Sequence, residues 1–149
     1  MATEQVLRIE QRGPVEWVTL SRPDAGNALN ADLVGALASY FEGLRDREDI
    51  RIVVLRASGK HFCVGADLSG DAFADNKRSA HNVWALQRRI GRIYVAMRKC
   101  PQPIIALVQG AACGGGFSLA LASDIRIAGD SAKMNAAYIK IGLTGCDMG

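Results

Sequence analysis

Gly110-Ala111-Ala112-Cys113-Gly114-Gly115-Gly116-Phe117-Ser118-Leu119 follows the apolar run Pro103 to Val108 and leads into a short apolar stretch ending at Ser123. Consecutive glycines where a strand gives way to a helix cost backbone entropy. They make sense where the chain needs unusual φ/ψ or close approach to a bound group. A helix starting there offers unpaired N–H groups and the positive end of its dipole to a negative oxygen. Taken alone, such a triplet marks a tight turn or close backbone packing equally well. A dinucleotide-binding loop fits poorly, because Leu119 stands where the third glycine of GxGxxG belongs after Gly114 and Gly116.

Working outward, a second glycine-bearing turn, Gly59-Lys60-His61-Phe62-Cys63-Val64-Gly65-Ala66-Asp67-Leu68, also follows an apolar run. Val15 to Leu20, Arg51 to Leu55, Pro103 to Val108 and Asp124 to Ala128 read as strands. Between the first two, Leu33, Leu37, Phe41 and Leu44 recur at helical spacing within Ala31 to Arg45, with Asn30 placed as the cap and Asp32 in the first turn. Between the next two, Val83, Leu86, Ile90, Ile93 and Met97 alternate three and four apart until Pro101 and Pro103 stop the pattern. Strands alternating with helices predict an α/β fold with parallel pairing. The polar, aperiodic segment Leu68 to Ala80, with Gly70 and Asp71, reads as a loop. No repeat and no linker divides the chain.

Bulk properties narrow the function classes. A chain of 149 residues with 49% hydrophobic and 22% charged residues has the composition and length of one globular domain. A net charge of +3, without long runs of one sign, does not suggest a nucleic-acid partner. Charged residues interrupt every hydrophobic stretch before it could span a bilayer, so no membrane partner is expected. Met1 to Glu10 has neither the basic start nor the apolar core of a secretory signal, and the chain reads as cytoplasmic. Cys63, Cys100, Cys113 and Cys146 form no CxxC pair and no Cys/His ligand set, which predicts buried free thiols and no metal. His61 and His81 read as structural. The basic cluster Arg88, Arg89, Arg92, Arg98 and Lys99 reads as a solvated helix face.

The two turns together carry more than either alone. "GKHFCVGADL" and "PIIALVQGAACGGGFSLALASDIRIA" resemble the paired signature of the crotonase (enoyl-CoA hydratase/isomerase) family. "SRPDAGNALNADL", Ser21 to Leu33, is similar to that family's first loop and helix. The resemblance implies a crotonase-like spiral of ββα units in which an acyl-CoA thioester lies across the strand ends. Coenzyme A is then part of the substrate, and no separate cofactor is expected. Carried over residue by residue, the backbone N–H groups of Ala66 and Gly115 form the oxyanion hole, and Ala25, Ala66, Asp67, Leu68, Ser69 and Gly115 line the CoA path.

The chain also departs from the family pattern. Family hydratases carry one glutamate two residues beyond the glycine triplet and another after the next strand; here Ser118 and Tyr138 take those places. Serine and tyrosine are weak general bases near neutral pH, so the resemblance implies either an enoyl-CoA hydratase or isomerase with substitute groups or a catalytically silent thioester-binding or assembly subunit. Asp147, near an aspartate of some isomerase relatives, and Asp71 are the candidate carboxylates, while Tyr138 is either a hydrogen-bond donor to the acyl group or a packed side chain. Gly149 falls inside the segment that in the family leads to the C-terminal helices. The expected module is therefore residues 1–149 as a partial acyl-CoA-binding domain with an unfinished sheet edge, and a trimer or hexamer is expected of a full-length form.

Overall fold

The structure is a computed structural model that describes residues 5–69 and 79–142. Gly13 and Pro14 reverse the chain between β1 (Leu7–Arg12) and β2 (Val15–Leu20), which pair antiparallel with Leu7 opposite Leu20 and Arg12 opposite Val15. From β2 onward strand and helix alternate.

Helix α1 (Ala31–Gly43) starts where the Asn30 side chain accepts from the Leu33 N–H at 3.0 Å, satisfying one of the free amides of the first turn. Its buried face is Leu33, Val34, Leu37 and Phe41, and Leu44 closes it from a 3-10 turn over Leu44–Asp46. The chain continues through β3 (Ile52–Ala57) and α2 (Ala80–Lys99), which begins with the Ser79 hydroxyl accepting from Asn82 N–H at 3.1 Å. After β4 (Ile104–Val108) come β5 (Ala111–Cys113), α3 (Gly115–Ala122), β6 (Ile125–Ala128) and β7 (Lys133–Asn135), then a 3-10 turn at Ala137–Ile141.

The main sheet runs β1-β2-β3-β4-β6, with every pair after the first parallel. A second, smaller layer consists of β5 beside β7 in parallel, extended by single bridges from Cys63 to Ala112 and from Ala66 to Leu29. Each of β2, β3 and β4 is thus followed by a short piece of the second layer and then by a helix. This is the ββα spiral expected from the sequence, and it places the turn after β3 beside the turn after β4. The core between sheet and helices gathers Val18, Leu20, Leu33, Leu37, Phe41, Leu55, Ile93, Met97 and Leu119.

Several boundaries differ from expectation. β3 starts one residue later and runs two further than Arg51 to Leu55, and α2 reaches beyond Val83 to Met97 at both ends. Strand β1 was not expected: only Leu7 of its residues is buried, so it shows no apolar alternation. Most of the predicted loop Leu68 to Ala80 lies outside the described residues. Cys63 is buried as expected, whereas Cys100 and Cys113 are only partly covered. Edge strand β6 leaves Ile125 and Ile127 exposed. Among the described residues no helix is long and apolar enough to cross a membrane.

Asn27 fastens the loop between β2 and α1. It is fully buried and holds a left-handed φ of 56°, alone among described non-glycine residues. Its Oδ1 accepts from Arg22 N–H at 2.8 Å, and its Nδ2 donates to the Ser58 and His61 carbonyls at 2.9 and 2.8 Å. Replacing Asn27 by Ala strands three backbone groups and keeps an unfavourable φ, so the expected loss is on the order of 3 kcal/mol in urea unfolding. Asn27→Gly, which relieves the φ but makes none of the bonds, recovers only a small part of it.

Candidate active site

The turns after β3 and β4 are sewn together by main-chain hydrogen bonds. Phe62 N–H donates to the Gln109 carbonyl at 2.8 Å, Cys63 N–H to Ala111 at 3.0 Å, and Cys113 N–H to Cys63 at 2.9 Å. His61 adds a side-chain stitch, its Nδ1 accepting from Ala111 N–H at 3.1 Å, so this histidine is structural, as expected. The approach is closer than side chains permit: a β-carbon on Gly116 would lie 2.1 Å from the Cys63 carbonyl oxygen, and one on Gly65 2.8 Å from that of Cys113. Gly65 and Gly114 also hold φ of 100° and 49°, where L-residues are strained.

Two amides emerge from this crossing. The Gly65 carbonyl accepts from Leu29 N–H at 2.8 Å. All described peptides are trans, so the N–H of Ala66 points opposite to that carbonyl, away from Leu29. The Gly114 carbonyl accepts from Ser118 N–H at 3.0 Å along the axis of α3, and the Gly115 N–H therefore leaves that helix at its N-terminal end. Among the described residues no group accepts from either amide. Both residues line one cleft of about 110 Å³, together with Val64, Gly65, Leu68, Gln87, Ile90, Gly114, Ala137 and Tyr138. A carbonyl oxygen placed between two such donors in an apolar pocket would be strongly polarised.

The remaining candidates sort by position. Leu68 lines the cleft with half its surface exposed. Asp67 points instead to Arg22, in an ion pair of 3.0 Å, and to Ser69, whose hydroxyl donates to it at 2.5 Å. The Ser69 hydroxyl first, and the Arg22 guanidinium with it, hold the Asp67 carboxyl below the usual carboxylate range against the opposing effect of burial. Ala25 is exposed on a 3-10 turn, next to Gly26, whose carbonyl accepts from Val64 N–H. Tyr138 reaches the cleft from beyond β7, where Gly114 N–H donates to Asn135 at 2.9 Å. Ser118 is buried within α3 and does not line the cleft. Asp147 and Asp71 lie outside the described residues. Burial pushes the Cys63 thiol up to about 12, leaving it inert at neutral pH.

Sequence reasoning missed the contributions of α2. Gln87 and Ile90 line the cleft, and Tyr94, buried, donates its hydroxyl to the Gly115 carbonyl at 3.0 Å. The signal present was Gln87 among the apolar positions Val83, Leu86 and Ile90, a polar residue at the edge of a buried stripe. Elsewhere on α2, Arg88 stacks over Trp84, Arg92 pairs with Glu42 at 2.8 Å and Arg98 with Asp124 at 2.7 Å. Among the described residues no group of three or more His, Cys, Asp or Glu side chains could hold a metal ion.

Two opposed glycine turns presenting main-chain donors over a ββα spiral define a crotonase-type protein, and comparison with known proteins agrees. The family model described as enoyl-CoA hydratase/isomerase matches residues 10–149. This chain belongs to the enoyl-CoA hydratase/isomerase family. It is 35% identical over 135 residues to the enoyl-CoA hydratase ACTT6 of Alternaria alternata, covering 91% of this chain and 43% of that one. A crystal structure of an enoyl-CoA hydratase from Shewanella pealeana superposes with a TM-score of 0.88 at 31% identity, over 98% of this chain and 55% of the other. An enoyl-CoA hydratase/isomerase from Marinobacter aquaeolei gives 0.87 at 31% identity, over 96% and 56%. The chain spans about half the length of the curated relatives it matches.

The glycines of the crossing differ in what they tolerate. Gly116→Ala forces the Cys63 backbone to move and is expected to cost at least about 3 kcal/mol, measured by denaturant unfolding. Gly35→Ala, on the exposed face of α1 where a β-carbon meets nothing within 4 Å, is expected instead to add about 0.5–1 kcal/mol.

Proposed function

We propose that this chain is the acyl-CoA-binding portion of a crotonase-type protein, with the amides of Ala66 and Gly115 receiving the thioester oxygen. The supporting observation is that Ala66 and Gly115, whose N–H groups have no acceptor among the described residues, line a single mostly apolar cleft. At about 110 Å³ the cleft holds only a few heavy atoms, the size of a thioester head. The remainder of the ligand then lies along the open rim formed by Leu68 and Ser69.

Donors so aimed act on charge that develops during reaction. When a proton leaves the carbon next to the thioester, or water adds to the double bond beyond it, negative charge moves onto the thioester oxygen. Each main-chain donor there is typically worth about 10²- to 10³-fold in rate. The proton itself needs an acceptor. The polar side chains among the described lining are Gln87 and Tyr138, and no carboxylate accompanies them. This composition favours a second reading, a thioester-binding or assembly subunit that retains the oxygen site without turnover; in the first reading, hydration or isomerisation draws its base from residues outside the described set.

Calorimetric titration with acetoacetyl-CoA, whose enolate resembles the charged intermediate, against the thioether S-butyl-CoA, which has no thioester carbonyl, tests the oxygen site. A clear preference for the thioester is expected, and equal binding of the two would refute the assignment. Replacing Gly115 by glycolate through ligation at Cys113 swaps its N–H for an ester oxygen without added bulk, and should cut the preference roughly tenfold or more. Turnover of a short 2-enoyl-CoA separates the two readings: a rate more than about tenfold above background identifies an enzyme, and binding without turnover identifies the silent subunit.

A further inference from the structure

We propose that Arg22 is a positioning residue for this site, fixing the direction in which Ala66 presents its N–H. This inference rests on the reading that the Ala66 amide meets the thioester oxygen.

The main chain alone holds residues 65 to 67 at one point. Leu29 N–H donates to the Gly65 carbonyl at 2.8 Å, and the Leu29 carbonyl accepts from Asp67 N–H at 3.1 Å. On the Gly65 side the neighbouring Val64 N–H also donates to the Gly26 carbonyl at 3.1 Å, whereas among the described residues no main-chain bond follows Asp67, so the Asp67 end can rock about Leu29 and swing the Ala66 amide with it. The Arg22 guanidinium holds that Asp67 end. One arm donates to the Ala28 carbonyl and the other to Asp67 Oδ2 at 3.0 Å, so the planar fork spans the same two segments one residue to the side of the Leu29 bonds. Paired donors of fixed geometry constrain direction as well as distance, which a single flexible ammonium does not.

The brace is itself held at both ends. Arg22 N–H donates to Asn27 Oδ1 at 2.8 Å, and Asn27 is locked to the Ser58 and His61 carbonyls. Asp67 Oδ1 accepts from the Ser69 N–H and hydroxyl at 3.2 and 2.5 Å. The ion pair is mostly covered, with side-chain exposures of 20% for Arg22 and 14% for Asp67, so water competes with it far less than with the surface pair of Arg47 and Asp49. Neither Arg22 nor Asp67 lines the cleft. Their action on a ligand would run entirely through the peptide between Gly65 and Asp67.

The test uses the full chain with Arg22→Gln, Arg22→Lys and Asp67→Asn. Backbone 15N relaxation reads the Ala66 amide without any ligand. An order parameter near the ~0.85 of rigid backbone in the parent should fall toward ~0.6 in Arg22→Gln and Asp67→Asn, with α1 and α2 unchanged. In parallel, the preference for acetoacetyl-CoA over S-butyl-CoA should drop roughly tenfold or more. Lysine, which keeps the charge but cannot fork, should restore only part of either signal. An Ala66 amide as rigid in both Arg22→Gln and Asp67→Asn as in the parent overturns the proposal, as does equal loss of affinity for the two ligands or full restoration by lysine. Should Arg22→Gln fail to fold cooperatively, Asp67→Asn carries the same readings. Loss of Ala66 rigidity in a chain whose parent shows no thioester preference leaves the brace standing and refutes the functional reading alone.

Discussion

Two backbones in this molecule come closer than side chains allow. Everything in this molecule follows from that closeness at Cys63 and Gly116, where a β-carbon would sit 2.1 Å from a carbonyl oxygen. The parallel neighbours β3 and β4 deliver it, because strands paired in parallel send their following turns off the same edge of the sheet. Gly110 makes room in the same way against the Lys60 carbonyl. Once the turns are locked, Ala66 and Gly115 lie on one cleft, and their N–H groups belong to the main chain.

Such an arrangement separates what sequence drift can reach from what it cannot. A main-chain donor survives any substitution that leaves the backbone in place, whereas a catalytic carboxylate is lost in one change. Ser118 and Tyr138 take the places where the resemblance implies glutamates, and the crossing beneath them is closed by hydrogen bonds of 2.8 to 3.0 Å. Their surroundings differ physically. Ser118 is packed inside α3, while Tyr138 faces the cleft.

How much of this was legible depended on how local the cause was. Helix α1 could be read from Asn30, Leu33, Leu37 and Phe41, because cap and apolar face lie within a few turns of each other. Helix α2 announced itself through Ile90, Ile93 and Met97. Strand β1 could not be read, since it is an edge strand recruited by the turn at Gly13 and buries little of its own. Strands β5 and β7, at three residues each, are set by distant partners: each other, and for β5 also the turn at Cys63. Ala66 and Gly115 were legible because glycine patterns mark close approach, and resemblance to a known family supplied their pairing. Arg22 and Asp67 meet across 45 positions, and no periodicity or spacing in the sequence joins them. Asn27 was equally silent, since a buried, left-handed asparagine looks in sequence like any turn residue.

Site and fold repeat have the same origin. Each ββα unit contributes to the cleft at the same level of the spiral, where its strand has ended and its helix has not yet begun. The first unit gives Leu29 and Ala28, the braces for the neighbouring turn; the second gives Val64 to Ala66; the third gives Gly114 and Gly115; the fourth leads to Ala137 and Tyr138. Helix α2 then crosses back to cap the opening with Ile90 and to pin the Gly115 carbonyl through Tyr94. Because adjacent units are held by the sheet ladder, the turns that follow β3 and β4 start side by side. The position of the cleft is therefore a property of the whole sheet, since its walls come from successive units of the spiral.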